Sequence, residues 1–422
     1  LNQYETEKIA ASLAPFGFRR VQADELADLY IINTCTVTHK ADSDCRQLIK
    51  KAVRRNPLAK VVVTGCYVDA DPERVKGIEG VHAIIRNEDK ERIADLLPSV
   101  FPDLFEEGLS SHESVHVSDF FGHNRAWLKV SDGCNQGCTF CIVPHVRGRL
   151  KNRQAGEVLD EIKNYVEHGY QEVVLTGVNL GHYSCHTEEP PVKNLAGLCR
   201  LILERTEVTR VRLSSIEPQT IREELLRLYS DSGGRICRHF HVPLQSGSSR
   251  VLRLMHRPYD AATYQARIAS VKEAMPNTIV GADVLVGFPG ETEEDFQETT
   301  KVVTSGSIDY LHVFSYSERP GTKAAGSADR VPHEVVRDRN RRLTAISEEL
   351  LRRALKRQVG ETLEVIAEHK HDDGQPFWSV SDNYLKVQLP PSVEGGKRVI
   401  RVRVTRATDD HLEGDVMEPR PD

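Results

Sequence analysis

Runs of β-branched residues, each giving way to a helical stretch, recur along most of this chain, and that alternation limits its possible folds more than any other feature. YIINTCTV and VVVTGCY are two such runs in the first hundred residues, with ADSDCRQLIKKAVRRNP between them in helical spacing up to Pro57. Strand–helix–strand order implies parallel pairing, with the connecting loops beyond the C-terminal strand ends. Cys35 and Cys66 sit at the ends of the two runs, so they are expected at the same edge of one sheet, where doubly wound domains hold their ligands. Two buried structural thiols would give the same pattern.

From AWLKVSDG onward the alternation continues through EVVLTGV, RVRLSS, FHVPLQ, TIVGADVLVGF and YLHVFSY, each followed by a helical stretch. Five or six such units predict a full or partial TIM-like barrel with its chemistry at the C-terminal strand ends. A long basic helix follows, HEVVRDRNRRLTAISEELLRRALKR. After Arg357 the segments become short, alternating and turn-separated, which fits a small β-barrel of OB type. The expected architecture is therefore an α/β chain of three parts. A Rossmann-like domain spans 1–118, a barrel 119–357 and a β-barrel 358–422, with 101–122 as the first linker. In VIRVRVT, alternation sends Arg401 and Arg403 to one face and Ile400, Val402 and Val404 to the other. With Lys397, Arg398 and Arg406 they form a basic strip, which fits a solvated strand face or an RNA contact equally well.

A hydrophobic content of 39% with 28% charged residues excludes the disordered classes. No window has the roughly 18 consecutive apolar residues of a membrane span, and no charged-then-apolar leader precedes the first helix, so a cytoplasmic chain without membrane contact is expected. Its formal charge of −6 is not that of a basic nucleic-acid binder, although a whole-chain sum hides local patches. Nine cysteines in such a chain point to metal binding or catalysis rather than disulfides. The opening LNQYETEKIA reads as a helix start with Asn2 as its N-cap.

GCNQGCTFCIVPHVRGR holds the sharpest signal. Cys134, Cys138 and Cys141 make C-x3-C-x2-C in the loop after the first barrel strand. Three thiolates there can each bind one iron of a cubane, leaving the fourth iron without a protein ligand. Gly133 and Gly137 would let the backbone wrap such a cluster closely. The competing reading is zinc, with His145 as fourth ligand. Cys45, Cys185, Cys199 and Cys237 share no tight spacing and are expected to be small side chains without a ligand role, Cys185 lying near the barrel mouth. Arg147, Arg149 and Arg153 follow the cysteine loop, either as surface charges or as contacts to the cluster or an RNA backbone. The basic residues of the helix around Arg46, Lys50, Lys51, Arg54 and Arg55 read as a solvated face, with a second tRNA contact as the lesser alternative.

With Phe140 before its last cysteine, this motif resembles that of the radical S-adenosylmethionine (SAM) enzymes. LTGVNLG, HVPLQSGS and GADVLVGFPGE follow in the order of that family's cofactor loops. The resemblance implies that Phe140, Thr176, Gly177, Asn179, Glu217, Gln245, Val286 and Gly287 contact SAM. NTCTVT, VTGCY, HVPLQSGSSRVLRLMHRPY and the β-rich tail narrow it to the methylthiotransferases, over essentially the whole chain. That family joins a cluster-binding α/β domain, a radical SAM barrel and a TRAM domain. It implies two 4Fe–4S clusters, one on Cys134, Cys138 and Cys141 and an auxiliary one on Cys35, Cys66 and a further cysteine expected ahead of Leu1. It also implies two SAM molecules per turnover: one methylates the inserted sulfur, and the other yields the radical that takes hydrogen from adenine C2.

NQYETE, NTCTVTHKAD, TGVNLGHY and RLSSIEP resemble the branch acting on N6-threonylcarbamoyladenosine beside the tRNA anticodon. Isopentenyladenosine and a ribosomal-protein aspartate are the alternative substrates within the family, and a zinc-bearing RNA-binding protein is the alternative outside it. Expected partners are a tRNA anticodon loop, gripped by Arg147, Arg149, Arg153, Arg401 and Arg403, and an electron donor such as flavodoxin or ferredoxin. The enzyme is expected to be a monomer.

Overall fold

A computed structural model describes residues 1–22, 25–105, 117–186, 191–369, 377–390, 393 and 396–417, the side chains of His369 and Phe377 excepted. Much of the expected linker 101–122 lies outside the described residues. Two compact units emerge. The first comprises Leu1–Ser118, Asp132–Lys151 and Ser317–Ala325; the second comprises Asp119–Ser131, Asn152–Tyr316 and Gly326–Asp422. This partition cuts across the three-part division expected from sequence, because the cysteine loop and a short segment near residue 320 group with the N-terminal residues.

In the first unit, β1 (Leu29–Thr34), β2 (Lys60–Gly65) and β3 (Ala83–Ile85) form a parallel sheet in the order β1-β2-β3. Alternation along β2 explains its two helical layers. Val62 packs with Ile9, Leu13, Ile93 and Leu97 on one face. Val61 and Val63 pack with Ile49, Ala52 and Tyr67 on the other. The first helix runs Asn2–Leu13 with Leu1 at its N-cap and no side-chain cap. Asn2 is thus not the cap expected from sequence; its Oδ1 instead accepts from Arg147 Nη2 at 3.2 Å.

The second unit carries β4 (Ala126–Asp132), β6 (Glu172–Gly177), β7 (Arg210–Leu213), β8 (His239–His241), β9 (Ile279–Val286) and β10 (Tyr310–Ser315), with a two-residue β5 (Lys151–Asn152) at the edge. The sheets run β5-β4-β6-β7 and β10-β9-β8. Parallel bridges Val211↔Ile236 and Ser215↔His241 continue the pairing from β7 to β8. Six parallel strands thus succeed one another in chain order, separated by helices such as Ala155–Glu167 and Ala261–Ala274, as in a partial barrel. The helix His333–Arg357 leads into β11 (Thr362–His369), β12 (Phe377–Ser381), β13 (Lys386–Leu389), β14 (Ile400–Ala407) and β15 (Leu412–Val416). These five close into a barrel ordered β11-β12-β13-β15-β14. Its core is Leu363, Val365, Val387, Leu389, Val402, Val404 and Leu412, capped by Ala354 and Leu355 of the long helix.

At the N-terminal strand ends of this unit, Glu172 is fully buried between Arg210 and Arg212, at 2.6 and 2.8 Å. Burial opposes its charge, but Arg210, Arg212 and Arg125 hold its carboxyl well below the usual carboxylate range. The two guanidiniums also donate to the carbonyls of Glu364 (2.9 Å) and Ser381 (2.8 Å), so one charge cluster ties the strands to the small β-barrel.

Candidate functional site

The register of β1 and β2 pairs Thr34 with Gly65, so Cys35 and Cys66 emerge side by side from adjacent strands. Gly65 has φ +100°, and a Cβ there would stand 2.3 Å from the Thr34 carbonyl oxygen, so the close approach of the two strands at this edge requires glycine. Thr34 Oγ1 donates to the Thr64 carbonyl at 2.6 Å and accepts from Tyr67 N at 3.3 Å, fixing both loops. Cys66 is buried and packs with Ile142 and Val146. Burial pushes its thiol up, while Arg147 and Lys90 act in the opposite direction. Cys45, in the helix His39–Arg55, directs its thiol to the Cys35 carbonyl at 3.5 Å.

The C-x3-C-x2-C loop belongs to the same compact unit. Its turn is closed by Cys141 N to the Cys138 carbonyl at 3.1 Å, and its base by Cys134 N to the Gly148 carbonyl at 3.2 Å. The Gln136 amide already points at Cys134 Sγ, 3.4 Å away. Gly133 has φ +68°, and a Cβ there would meet the Arg149 carbonyl oxygen at 2.2 Å. Among the described residues, the only three ligand groups lying within 4.8 Å of one another are His241, Asp283 and His312. The three loop thiols do not form such a group. Half-buried thiols on a glycine-lined loop, with a backbone N–H aimed at sulfur, fit an iron–sulfur cubane better than one ion.

Two arginines hold these loops, and one of them, Arg319, was not among the site residues expected from sequence. Arg319, in the segment Ser317–Ala325, is buried; it donates to Asp42 Oδ2 at 2.8 Å and to Thr36, next to Cys35. Ala324 N in the same segment donates to the Thr139 carbonyl at 2.8 Å, so this stretch reaches both cysteine loops. Arg147 is the second. The sequence left it, with Arg149 and Arg153, as a surface charge or a contact to the cluster or an RNA backbone; its side chain is only 5% exposed and engages Glu5, Asp132 and Cys66. Arg153 is likewise turned inward, 2.7 Å from Glu161 Oε2. Arg149 is exposed. The Arg319 partner Asp42 lies 277 residues away in sequence, so no local signal marked that arginine.

In the second unit, Thr176 and Gly177 end β6, Asn179 follows, Val286 ends β9 and Gly287 follows it. Glu217 pairs with Arg257. Gln245 has φ +66°, an uncommon conformation for this residue type, held by its N–H to the Asp283 carbonyl and its own carbonyl to Leu285 N, both 2.8 Å. Cys199 and Cys237 are fully buried with thiols pushed up to about 12, and Cys185 donates to Gln154 Oε1 at 3.2 Å. None of the three resembles a ligand thiolate.

His241 Nε2 and His312 Nδ1 donate to Asp283 Oδ1 at 2.8 and 3.4 Å. Burial raises the Asp283 carboxyl, but those two hydrogen bonds outweigh it and hold it down to about 2. A depressed carboxylate contributes stability above its unfolded value and loses it as pH falls through the folded one. The triad should therefore contribute about 2 kcal/mol above pH ~4, lost between ~4 and ~2. Asp283→Asn should flatten the acid limb of a urea-stability profile in that window; an unchanged profile would contradict the pairing.

Profiles of known families match both parts of this arrangement. That of the Radical SAM superfamily covers residues 128–303, and that of Uncharacterized protein family UPF0004 covers residues 1–86. The fold is like that of a radical S-adenosylmethionine methyltransferase, TsrM, from Kitasatospora setae, with TM-score 0.56 at 15% identity over 76% of this chain and 73% of that one. Six parallel strands and a C-x3-C-x2-C loop thus define a radical SAM protein. The chain is 36% identical to the Threonylcarbamoyladenosine tRNA methylthiotransferase MtaB of Bacillus subtilis, over 98% of its length and 93% of the relative's. It is 30% identical to a tRNA-2-methylthio-N(6)-dimethylallyladenosine synthase of Clostridium novyi, over 99% and 94%. The chain belongs to the radical SAM tRNA methylthiotransferase family, whose members work with SAM and two 4Fe–4S clusters. Among the described residues no helix is long and apolar enough to cross a membrane.

Proposed function

We propose that this enzyme converts N6-threonylcarbamoyladenosine beside the tRNA anticodon to its 2-methylthio derivative. The observation that carries the reading is the grouping of Cys35, Cys66 and Cys134–Cys141 in one compact unit, as a reaction needing both a radical source and a sulfur source requires. Higher identity to the relative named for threonylcarbamoyladenosine than to the one named for dimethylallyladenosine supports the substrate.

Cys134, Cys138 and Cys141 would hold three irons of one cluster, and Cys35 and Cys66 would help hold the auxiliary one. When bound, the first cluster with SAM supplies a radical able to abstract hydrogen from an unactivated C–H bond, which no acid–base side chain does. Thr176, Gly177, Asn179, Glu217, Gln245, Val286 and Gly287, at the C-terminal strand ends of the second unit, would orient SAM, with Phe140 beside the last loop cysteine. An external one-electron donor such as flavodoxin or ferredoxin would reduce the cluster, and the enzyme would act as a cytoplasmic monomer.

On the small β-barrel, Arg403 and Arg406 are exposed and Arg401 half-buried, while Val402 and Val404 face inward. Lys397 lies 3.7 Å from the Tyr170 ring centre and 3.1 Å from Asp119, so it belongs to the packing rather than to the strip. Arg401 and Arg403 would contact tRNA phosphates. Arg401→Glu with Arg403→Glu should weaken tRNA binding and lower the salt slope of log K by about 2, while SAM cleavage persists. Unchanged affinity in a filter-binding salt series would refute that role.

The substrate is tested by nucleoside mass spectrometry of tRNA from a strain lacking the gene. 2-Methylthio-N6-threonylcarbamoyladenosine should vanish and the isopentenyl-derived methylthio nucleoside remain; the reverse pattern would move the enzyme to the other branch.

A further inference from the structure

Arg147 stands out because all five of its N–H donors are satisfied inside the protein and one of them goes to a sulfur. It ends the short helix Val143–Arg147, six residues after Cys141. Nε donates to Cys66 Sγ at 3.1 Å. Nη1 donates to Glu5 Oε1 at 2.7 Å and to Asp132 at 3.1 Å; Nη2 donates to Asn2 Oδ1 and Glu5 Oε2, both at 3.2 Å. Glu5 is in turn bound by the buried Lys90 at 2.8 Å, and Lys90 by Asn33 Oδ1 at 3.0 Å. A guanidinium is the only side chain with five donors in a rigid fork, so lysine would not reproduce this set.

The Cys66 sulfur has a second donor, Asn87 Nδ2 at 3.7 Å, whose amide also donates to the Val146 carbonyl at 2.9 Å. Two N–H groups, one of them cationic, therefore converge on a single thiol in a buried setting. Hydrogen bonds and positive charge at a cluster sulfur favour the reduced, more negative state and raise the reduction potential. A buried ion network also fixes the sulfur's position before any metal arrives.

We propose that Arg147 is a positioning residue for the auxiliary cluster: it fixes the Cys66 sulfur and, through its N–H···S bond, sets that cluster's reduction potential. The role rests on Cys66 being a cluster ligand, as proposed above. Because Arg147 lies on the chain just beyond the other cysteine loop, a single side chain anchors that loop to the sheet edge bearing Cys66.

The test uses the full-length enzyme, reconstituted anaerobically, with Cys134, Cys138 and Cys141 all changed to alanine so that only the auxiliary cluster is read. Iron analysis first asks whether that cluster is present; its absence would overturn the Cys35/Cys66 assignment itself. With the cluster present, Arg147→Gln should move its midpoint to a more negative potential in an EPR-monitored redox titration. Arg147→Lys, which keeps the charge but loses the fork, should give a smaller shift of the same sign. Asn87→Ala, which leaves the Arg147 network in place, should also give a small negative shift and guards against a folding failure of the arginine variants. Midpoints unchanged in all of the variants that retain cluster, or moved to more positive values, would overturn the role of Arg147 while leaving the cluster assignment standing.

Discussion

Cys138→Ala should yield an enzyme with about four fewer irons per chain and with reductive cleavage of SAM to 5′-deoxyadenosine reduced by more than about 100-fold, beyond what loss of an outer-shell partner causes. The fold should survive, because backbone and Asn135 contacts close the loop: Cys134 N to Gly148 O at 3.2 Å, and Leu150 N to Asn135 Oδ1 at 3.1 Å. Cys199→Ala is the internal control. That thiol is fully buried and pushed up to about 12, so its loss should leave iron content and the visible spectrum unchanged. Iron analysis and the bleaching of a brown chromophore by dithionite read both variants. A colourless protein holding zinc, or full iron retention after loss of Cys138, would contradict the iron–sulfur reading of the loop.

Glu172→Ala should be the most destabilising single change in the second unit. It leaves Arg210, wholly buried, and Arg212, nearly so, without their carboxylate, and removing one partner of a buried charge cluster costs about 3–5 kcal/mol. Glu172→Gln, of similar shape, should lose less by keeping a hydrogen-bond acceptor for one guanidinium. Because its carboxyl is held well below the usual range, Glu172 contributes stability that is complete at neutral pH and declines only in acid, below the unfolded carboxylate value. Urea unfolding followed by circular dichroism measures the loss, and a change under ~1 kcal/mol would show that the cluster is not the tie described.

Much of the architecture was legible because its signals are local. Val61, Val62 and Val63 announce a strand buried on both faces, and β2 sends them alternately to two helical layers. Thr34 and Gly65 pair as the strand ends, which brings Cys35 and Cys66 together as the βαβ order predicted. The period-two pattern of Ile400–Val404 likewise gave the correct inner and outer faces of β14. Long-range electrostatics left no such trace. Glu5 and Arg147 are separated by 142 residues, and Asp42 and Arg319 by 277, so nothing in either neighbourhood marks the pair. The same blindness misplaced Asn2, which looked like a helix cap because its type suits one, yet serves a distant guanidinium instead. It also hid the grouping of Asp132–Lys151 and Ser317–Ala325 with the N-terminal sheet, since strand periodicity says where an element begins and not which neighbour its loop packs against.

The central claim is that the two cysteine sets serve methylthiolation of a threonylcarbamoylated adenosine. Its most direct test incubates the anaerobically reconstituted full-length enzyme with SAM, a reductant and two tRNA pools, one bearing N6-threonylcarbamoyladenosine and one bearing N6-isopentenyladenosine, followed by nucleoside mass spectrometry. The account predicts the 2-methylthio product in the first pool, formed together with 5′-deoxyadenosine and S-adenosylhomocysteine and lost in Cys66→Ala and in Cys138→Ala. Methylthiolation confined to the second pool, or product that persists without either cysteine, would contradict it.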